Sequence, residues 1–178
     1  MKLSAYKPND VAEIERLFIK TFADSEGQSE GEIIGRLVSN FMSSTDKSDY
    51  YCFVARDADQ IIGCIFFSRL TFEYGPNTFI LAPVAVRTDF QGRGIGQQLI
   101  RFGLEALSMN GVELTMTYGD PEFYSKVGFQ VVTEAEIPPP LRLQHPEGWL
   151  AQYLKSDRIR PIKGKSSCVE ALNKPEYW

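Results

Sequence analysis

Phe79-Ile80-Leu81-Ala82-Pro83-Val84-Ala85-Val86, followed three residues later by Phe90-Gln91-Gly92-Arg93-Gly94-Ile95-Gly96, decides how this chain is read. The first run is apolar and rich in β-branched side chains, which suits a strand buried in a sheet. Pro83 lies inside it and has no N–H to give a ladder, so a bulge or a break in pairing is expected there. After the glycines, Ile95, Leu99, Phe102 and Ala106, flanked by Ile100, Leu104 and Leu107, follow helical spacing. Asn110-Gly111 then ends the helix, because glycine accepts the left-handed cap conformation. A glycine loop therefore joins a buried strand to a helix start.

Three phosphate-binding patterns compete for that loop. A Walker loop requires a lysine after its last glycine, and none stands at that spacing. A dinucleotide fingerprint fits Gly92 and Gly94, with Glu113 about 20 residues on, but its third glycine position is Gln97. The pattern Gln-x-x-Gly-x-Gly fits in full, as Gln91, Gly94 and Gly96. The first N–H groups of a helix have no partner inside it, and the helix dipole favours an anion there. Glycine lets the main chain approach phosphate oxygens without a Cβ between them. Arg93 adds a cation at the mouth. The competing structural reading is a glycine turn that serves packing alone.

Upstream, Lys2 to Tyr6 reads as an opening strand. Asp10 is placed to cap a helix, with Glu13 reaching back to the cap, and Val11, Ile14, Leu17, Phe18 and Phe22 mark its apolar face. Asp24 to Gly31 is polar and is expected to break it. A second helix buries Ile33, Ile34, Leu37, Val38 and Phe41. Residues 51–55 and 61–67 then form a hairpin around Asp57-Ala58-Asp59-Gln60, and Gly75-Pro76-Asn77 turns into the 79–86 strand. Downstream, Val112, Leu114, Met116 and Tyr118 alternate with polar residues as a strand. Pro121 to Lys126 allows a short helix, and Gly128 to Val132 returns as a strand. Glu134 to Pro146 is a proline-rich loop, and Gly148 to Leu154 forms a last strand. The division expected is 1–155 as one domain and 156–178 as an extension packed on it. The order of elements gives an α/β (α+β) fold: a mixed central sheet flanked by helices.

The 178 residues carry a formal net charge of -4, with 43% hydrophobic and 24% charged side chains. That balance suits a globular domain and argues against a nucleic-acid binder. No apolar run reaches the length of a membrane span, and the N-terminus lacks a signal-peptide pattern. Three cysteines without metal-ligand spacing suggest reduced thiols in a cytoplasm. Cys52 and Cys64, on neighbouring strands, are read as small buried side chains in preference to a disulfide. No cluster calls for a metal.

The segment Leu81 to Val86 with Phe90 to Gly96 resembles the acetyl-CoA motif of the GCN5-related N-acetyltransferase (GNAT) superfamily. A later segment, Gly119-Asp120-Pro121-Glu122-Phe123-Tyr124-Ser125-Lys126-Val127-Gly128-Phe129, resembles the same family's Tyr-x-x-x-Gly-Phe signature. The pair is most similar to small bacterial members of the YhbS type. The resemblance implies a splayed strand pair around acetyl-CoA, the acyl donor, and transfer of the acyl group to an amine, on a small molecule or a protein. Val84, Ala85 and Val86 would pair with the pantetheine arm, and a backbone N–H, expected at Val86, would bond the acetyl carbonyl. Amides of Gln91, Gly92, Arg93, Gly94, Ile95 and Gly96 would hold the pyrophosphate, and Tyr124 would protonate the departing thiolate.

One departure stands out. Many relatives carry an asparagine after the fifth strand, where this chain has Gly119-Asp120; Asp120 is expected to cap the short helix. The general base is not identified among His145, Glu73, Glu113 and Asp120, while Asp57 and Asp59 read as turn residues. A second reading is an acyl-CoA-binding regulatory module without turnover. The region Gly148 to Trp178, with apolar Trp149 and Trp178, is compatible with a homodimer contact.

Overall fold

The computed structural model describes residues 1–178. Its strands are β1 (Lys2–Ala5), β2 (Tyr50–Asp57), β3 (Gln60–Phe72), β4 (Thr78–Val86), β5 (Leu114–Tyr118), β6 (Gln130–Val131), β7 (Trp149–Tyr153) and β8 (Ser166–Cys168). Its helices are α1 (Val11–Glu26), α2 (Gln28–Ser44), α3 (Ile95–Met109) and the one-turn α4 (Pro121–Tyr124). Hydrogen bonds link the strands in the order β1-β2-β3-β4-β5-β7-β6, and β8 pairs with β3 off that path. The sheet is mixed: β4 and β5 run parallel, whereas β1–β2, β3–β8, β5–β7 and β6–β7 are antiparallel.

The chain resolves into two units interleaved in sequence: Met1–Phe67 with Pro83–Gly103, and Ser68–Ala82 with Leu104–Trp178. In the first unit, side chains alternate across the strands, as the pleat dictates. Phe66 faces Phe18 of α1 and Phe41 of α2, with ring centroids 5.8 and 5.4 Å away. On the opposite face, Phe53 meets Phe67 and Phe102 of α3 edge-on. Ile65, Phe66, Phe67, Val38 and Phe41 are fully buried, and each such side chain stabilises the fold by about 1.5–3 kcal/mol.

Several local expectations change. The polar stretch Asp24 to Gly31 is helical almost throughout, and Gly27 alone breaks it, at φ 101°. Glu13 does not reach back to Asp10: its carboxylate accepts the Ile61 N–H at 2.7 Å. Asp10 accepts the Lys7 N–H and pairs with Arg56. Both acids tie α1 to the sheet or to the turn before it, since a carboxylate is more strongly held by those donors than by a frayed helix end. β4 runs unbroken through Pro83 to Val86, so no break appears in the strand itself. Its ladder with β5 reaches only from Thr78–Leu114 to Leu81–Thr117. Cys52 and Cys64 are free thiols 3.5 Å apart in the core, where burial raises the Cys52 thiol well above its usual value.

In the second unit, β5 lies between β4 and β7. The segment beyond 155 supplies β8 and the buried Ile162, Ala171, Leu172 and Trp178. Trp149 and Trp178 are internal: their indoles donate to the carbonyls of Ile137 and Leu172. They are therefore not a partner surface, because each polar edge already has its acceptor inside the chain.

The crossing of α1 and α2 depends on glycine. A Cβ on Gly31 would stand 2.5 Å from the Ile19 carbonyl oxygen, a backbone atom that cannot yield. A Cβ on Gly35 would stand 2.5 Å from Cγ1 of Ile19, a 42% exposed side chain that yields only by turning about its stiff χ1. Gly31→Ala is expected to destabilise the protein by about 1–3 kcal/mol through overpacking. Gly35→Ala is expected to cost less, because a side chain and not the backbone gives way and helix propensity returns about 1 kcal/mol. Chemical denaturation of the two variants checks the order.

Candidate active site

The glycine loop begins where β4 ends. The Arg87 N–H donates to the Ile62 carbonyl of β3 at 2.8 Å. Donors alternate along a strand, so the amides of Val84 and Val86 face away from β3. Arg87 turns back to pair with Asp89, at 2.7 and 2.9 Å, and donates to Gln60 at 2.9 Å. The pair holds the Asp89 carboxyl below its ordinary range and raises the Arg87 guanidinium. Arg87 and Arg93 both lie over the Phe90 ring, 4.4 and 4.9 Å from its centroid, and Arg93 donates to the Asp89 carbonyl. These ties are exposed and individually weak, but together they shape one turn.

Gln91 has a role that its place in the pattern did not reveal. Its side chain donates to the Val86 carbonyl at 2.9 Å, and its own N–H is taken by the Thr88 carbonyl at 3.3 Å. It locks the loop to the end of β4, and its amide is not left over for a ligand. The free donors begin after it. Gly92 and Gly94 adopt φ of 75° and 74°, the left-handed region open to glycine. A Cβ at Gly92 would meet nothing within 4 Å, and one at Gly94 only the Gln98 amide at 3.9 Å. Space therefore remains in front of both. The Gln98 N–H bonds the Gly94 carbonyl, so the amides of Ile95, Gly96 and Gln97 lie in the first turn, where a helix has no acceptors of its own. The result is a cradle of backbone donors, exposed at Gly92 to Gly94 and buried at Ile95 and Gly96, at the positive end of a 15-residue helix.

Tyr124 belongs to the second unit. Asp120 caps α4 as expected, accepting the Glu122 N–H at 2.9 Å, and the Tyr124 N–H reaches the Asp120 carbonyl. The ring lies against Gly119: a Cβ there would stand 2.7 Å from Tyr124 Cε2. Phe129 meets the ring edge-on with centroids 5.9 Å apart. The departure at Gly119 thus has a local cause, since any side chain would displace the ring. Burial raises the phenol above its ordinary value; a hydrogen bond with Thr117 opposes that, and the Asp120 charge adds to it. Neither Thr117 nor Gly119 carried a signal in sequence, because their importance lies in what packs on them.

The possible bases are scattered. Glu113 accepts the Asn77 N–H at 3.0 Å, Asp120 is occupied by its cap, and the His145 side chain is 74% exposed beside Glu147. No group of three or more His, Cys, Asp or Glu gathers as a metal site. No helix is long and apolar enough to cross a membrane.

Residues 48–131 match the acetyltransferase (GNAT) domain model. YjhQ of Escherichia coli K12, an uncharacterised N-acetyltransferase, is 29% identical over 140 residues, 75% of this chain and 77% of its own. Residues 48–131 of the chain are thus similar to the GNAT superfamily. YhbS of the same organism, also an uncharacterised N-acetyltransferase, is 32% identical over 82 residues, 46% of this chain and about half (49%) of its own. The fold of YhbS in complex with CoA superposes with a TM-score of 0.79 at 24% identity, covering 98% of this chain and 92% of YhbS. A GNAT acetyltransferase from Brucella melitensis in complex with acetyl-CoA gives 0.74 at 24% identity over 97% of both chains. The GNAT match spans β2 to β6, so it contains both the cradle and Tyr124.

The raised Tyr124 phenol makes a pH prediction. Folding favours the neutral form, so its contribution to stability is fully present below the unfolded value near 10 and is lost as pH rises through the folded value. Wild type should therefore lose more stability than Tyr124→Phe between neutral and strongly alkaline pH, as read by denaturation at a series of pH values.

Proposed function

We propose that this chain transfers an acetyl group from acetyl-CoA to an amine, by direct attack while both substrates are bound. The observation that carries this reading is the cradle: left-handed Gly92 and Gly94 with open space before them, at the start of α3. Such a site suits a pyrophosphate. Fold neighbours solved with CoA and acetyl-CoA support the same donor. Acetyl-CoA supplies an activated thioester; the chain's residues bind it and manage charge and protons.

In this reading the amides from Gly92 to Gly96 hold the pyrophosphate, and the backbone of Val84, Ala85 and Val86 runs beside the pantetheine arm. The Val86 N–H, turned away from β3, meets the acetyl carbonyl oxygen and stabilises the negative charge that grows there as the amine nitrogen attacks. Tyr124 gives its proton to the sulfur as the carbon–sulfur bond breaks, and the proton lost by the amine passes to water. A neutral phenol is the required form; a phenol is neutral at physiological pH at its ordinary value, and burial only raises that of Tyr124 further. Unbridged Cys52 and Cys64 accord with a reducing, cytoplasmic setting.

Purified protein with acetyl-CoA and a panel of amines should release CoA faster than without acceptor. Binding of acetyl-CoA with no release above the acceptor-free rate across the panel would overturn the enzyme reading in favour of a binding module. Tyr124→Phe is expected to lower kcat by about a hundredfold. Gly94→Val should weaken CoA binding by at least about tenfold, measured by calorimetry, at a folding penalty of about 1–2 kcal/mol.

A further inference from the structure

A cavity of about 390 Å³ lies between α1 and the strand ends that carry Gln60 and Arg87. It sits wholly in the first unit and takes in none of the cradle amides. Its volume falls at the lower end of the range for small-molecule sites. Leu17 and Ile61, both buried, form an apolar wall. Four charged side chains face the space: Glu13, Arg16, Lys20 and Arg87. Two of the cations are already occupied. Lys20 pairs with Asp24 at 3.1 Å, and Asp24 also accepts the Thr88 hydroxyl at 2.8 Å. Arg87 is held by Asp89 and Gln60. Arg16 has neither an ion pair nor a hydrogen bond. Glu13 accepts the Ile61 N–H with one oxygen, and its other oxygen has no partner. Residues three apart on a helix are neighbours on its surface, but the Ile61 contact holds the Glu13 carboxylate on the sheet and keeps it from Arg16. The cavity therefore offers a free guanidinium fork beside a free carboxylate oxygen.

We infer that this cavity is a binding site for a free α-amino acid with an apolar side chain, separate from the acetyl-CoA cradle. A plain anion at Arg16 would meet the Glu13 charge, and a plain amine at Glu13 would meet that of Arg16. An α-amino acid carries both charges on neighbouring atoms, so it satisfies the two side chains at once. Its carboxylate accepts from the Arg16 fork, and its ammonium donates to the open Glu13 oxygen, both as charge-assisted hydrogen bonds. Its side chain lies against Leu17 and Ile61, out of water. Lys20 and Arg87 add little net charge to the site, because each is balanced by its own aspartate.

Calorimetry on the full chain tests this with L-leucine, isocaproate (which lacks the ammonium) and isoamylamine (which lacks the carboxylate). L-Leucine should bind wild type at millimolar ligand, and each truncated analogue at least about tenfold more weakly. Arg16→Met keeps the apolar stem, and Glu13→Gln keeps an acceptor for the Ile61 N–H; each should weaken leucine binding by about tenfold. Glu13→Gln should also bind isocaproate more tightly than wild type does, since the repelling charge is gone. A merely structural Glu13 would give no such gain. If L-leucine, L-valine and L-methionine all fail to bind wild type, the inference is overturned. Isocaproate binding as tightly as leucine would overturn it too, because the site would then serve a simple anion. Leucine binding that neither variant weakens would place the amino acid elsewhere on the chain, with the same consequence. Arg16 is exposed and without a partner, so Arg16→Met decides the matter should Glu13→Gln fail to fold.

Discussion

Every buried backbone donor and acceptor of β4 has to find a partner, and Pro83 removes one donor from the strand. The strand answers this in a way that also anchors the glycine loop. Its parallel ladder with β5 stops at Leu81–Thr117, and the Leu81 carbonyl receives the Thr117 hydroxyl. At its far end, the Arg87 N–H returns to β3 and the Val86 carbonyl receives the Gln91 side chain. Side chains thus take over where regular pairing leaves off. Each of these bonds is modest, about 0.5–1.5 kcal/mol net, but the penalty for leaving such a group unpaired in the interior is larger.

The loop beyond β4 is exposed, so no core packing shapes it. Its form comes from local chemistry: two glycines at positive φ, the Arg87–Asp89 pair, and a phenylalanine ring with arginines over it. The same residues set the electrostatics. The two arginines near the loop are occupied by Asp89 and its carbonyl, so the field that an anion meets in front of Gly92 and Gly94 comes chiefly from backbone amides and the α3 dipole. An acidic chain can therefore present a local anion site without a basic patch.

The second unit solves a different problem, that of seating a phenol. Gly119 gives up a side chain so that the Tyr124 ring can lie on the backbone, and Gly148 gives up another so that Gly119 can sit close to it. The adjoining Tyr118 stacks on Trp178, with centroids 6.3 Å apart, and accepts the His145 N–H at 2.7 Å. The residues after 155, polar on average, are held to this core by the few apolar ones that reach it.

Much of this was legible in the sequence for a physical reason. Periodicity reports which face of an element is buried, and it located β1 to β7 and α1, α2 and α3, although β3 runs on to Phe72 and β8 was not foreseen. Positive-φ glycines and a helix start are local features, so the turn at Gly92 and Gly94 and the start of α3 could be read before any tertiary contact was known. What sequence could not decide was the use of polar side chains across distance. Glu13 serves Ile61, not its own helix; Gln91 serves Val86; and the two tryptophans face inward. Polarity alone suggested a broad break at Asp24 to Gly31, but solvent on one face of a helix looks the same in sequence as a loop. Only the tertiary structure could show the Thr117 hydroxyl on the Leu81 carbonyl. A buried threonine in an alternating strand has the pattern of any β residue, and the partner of its hydroxyl is 36 residues away in the chain.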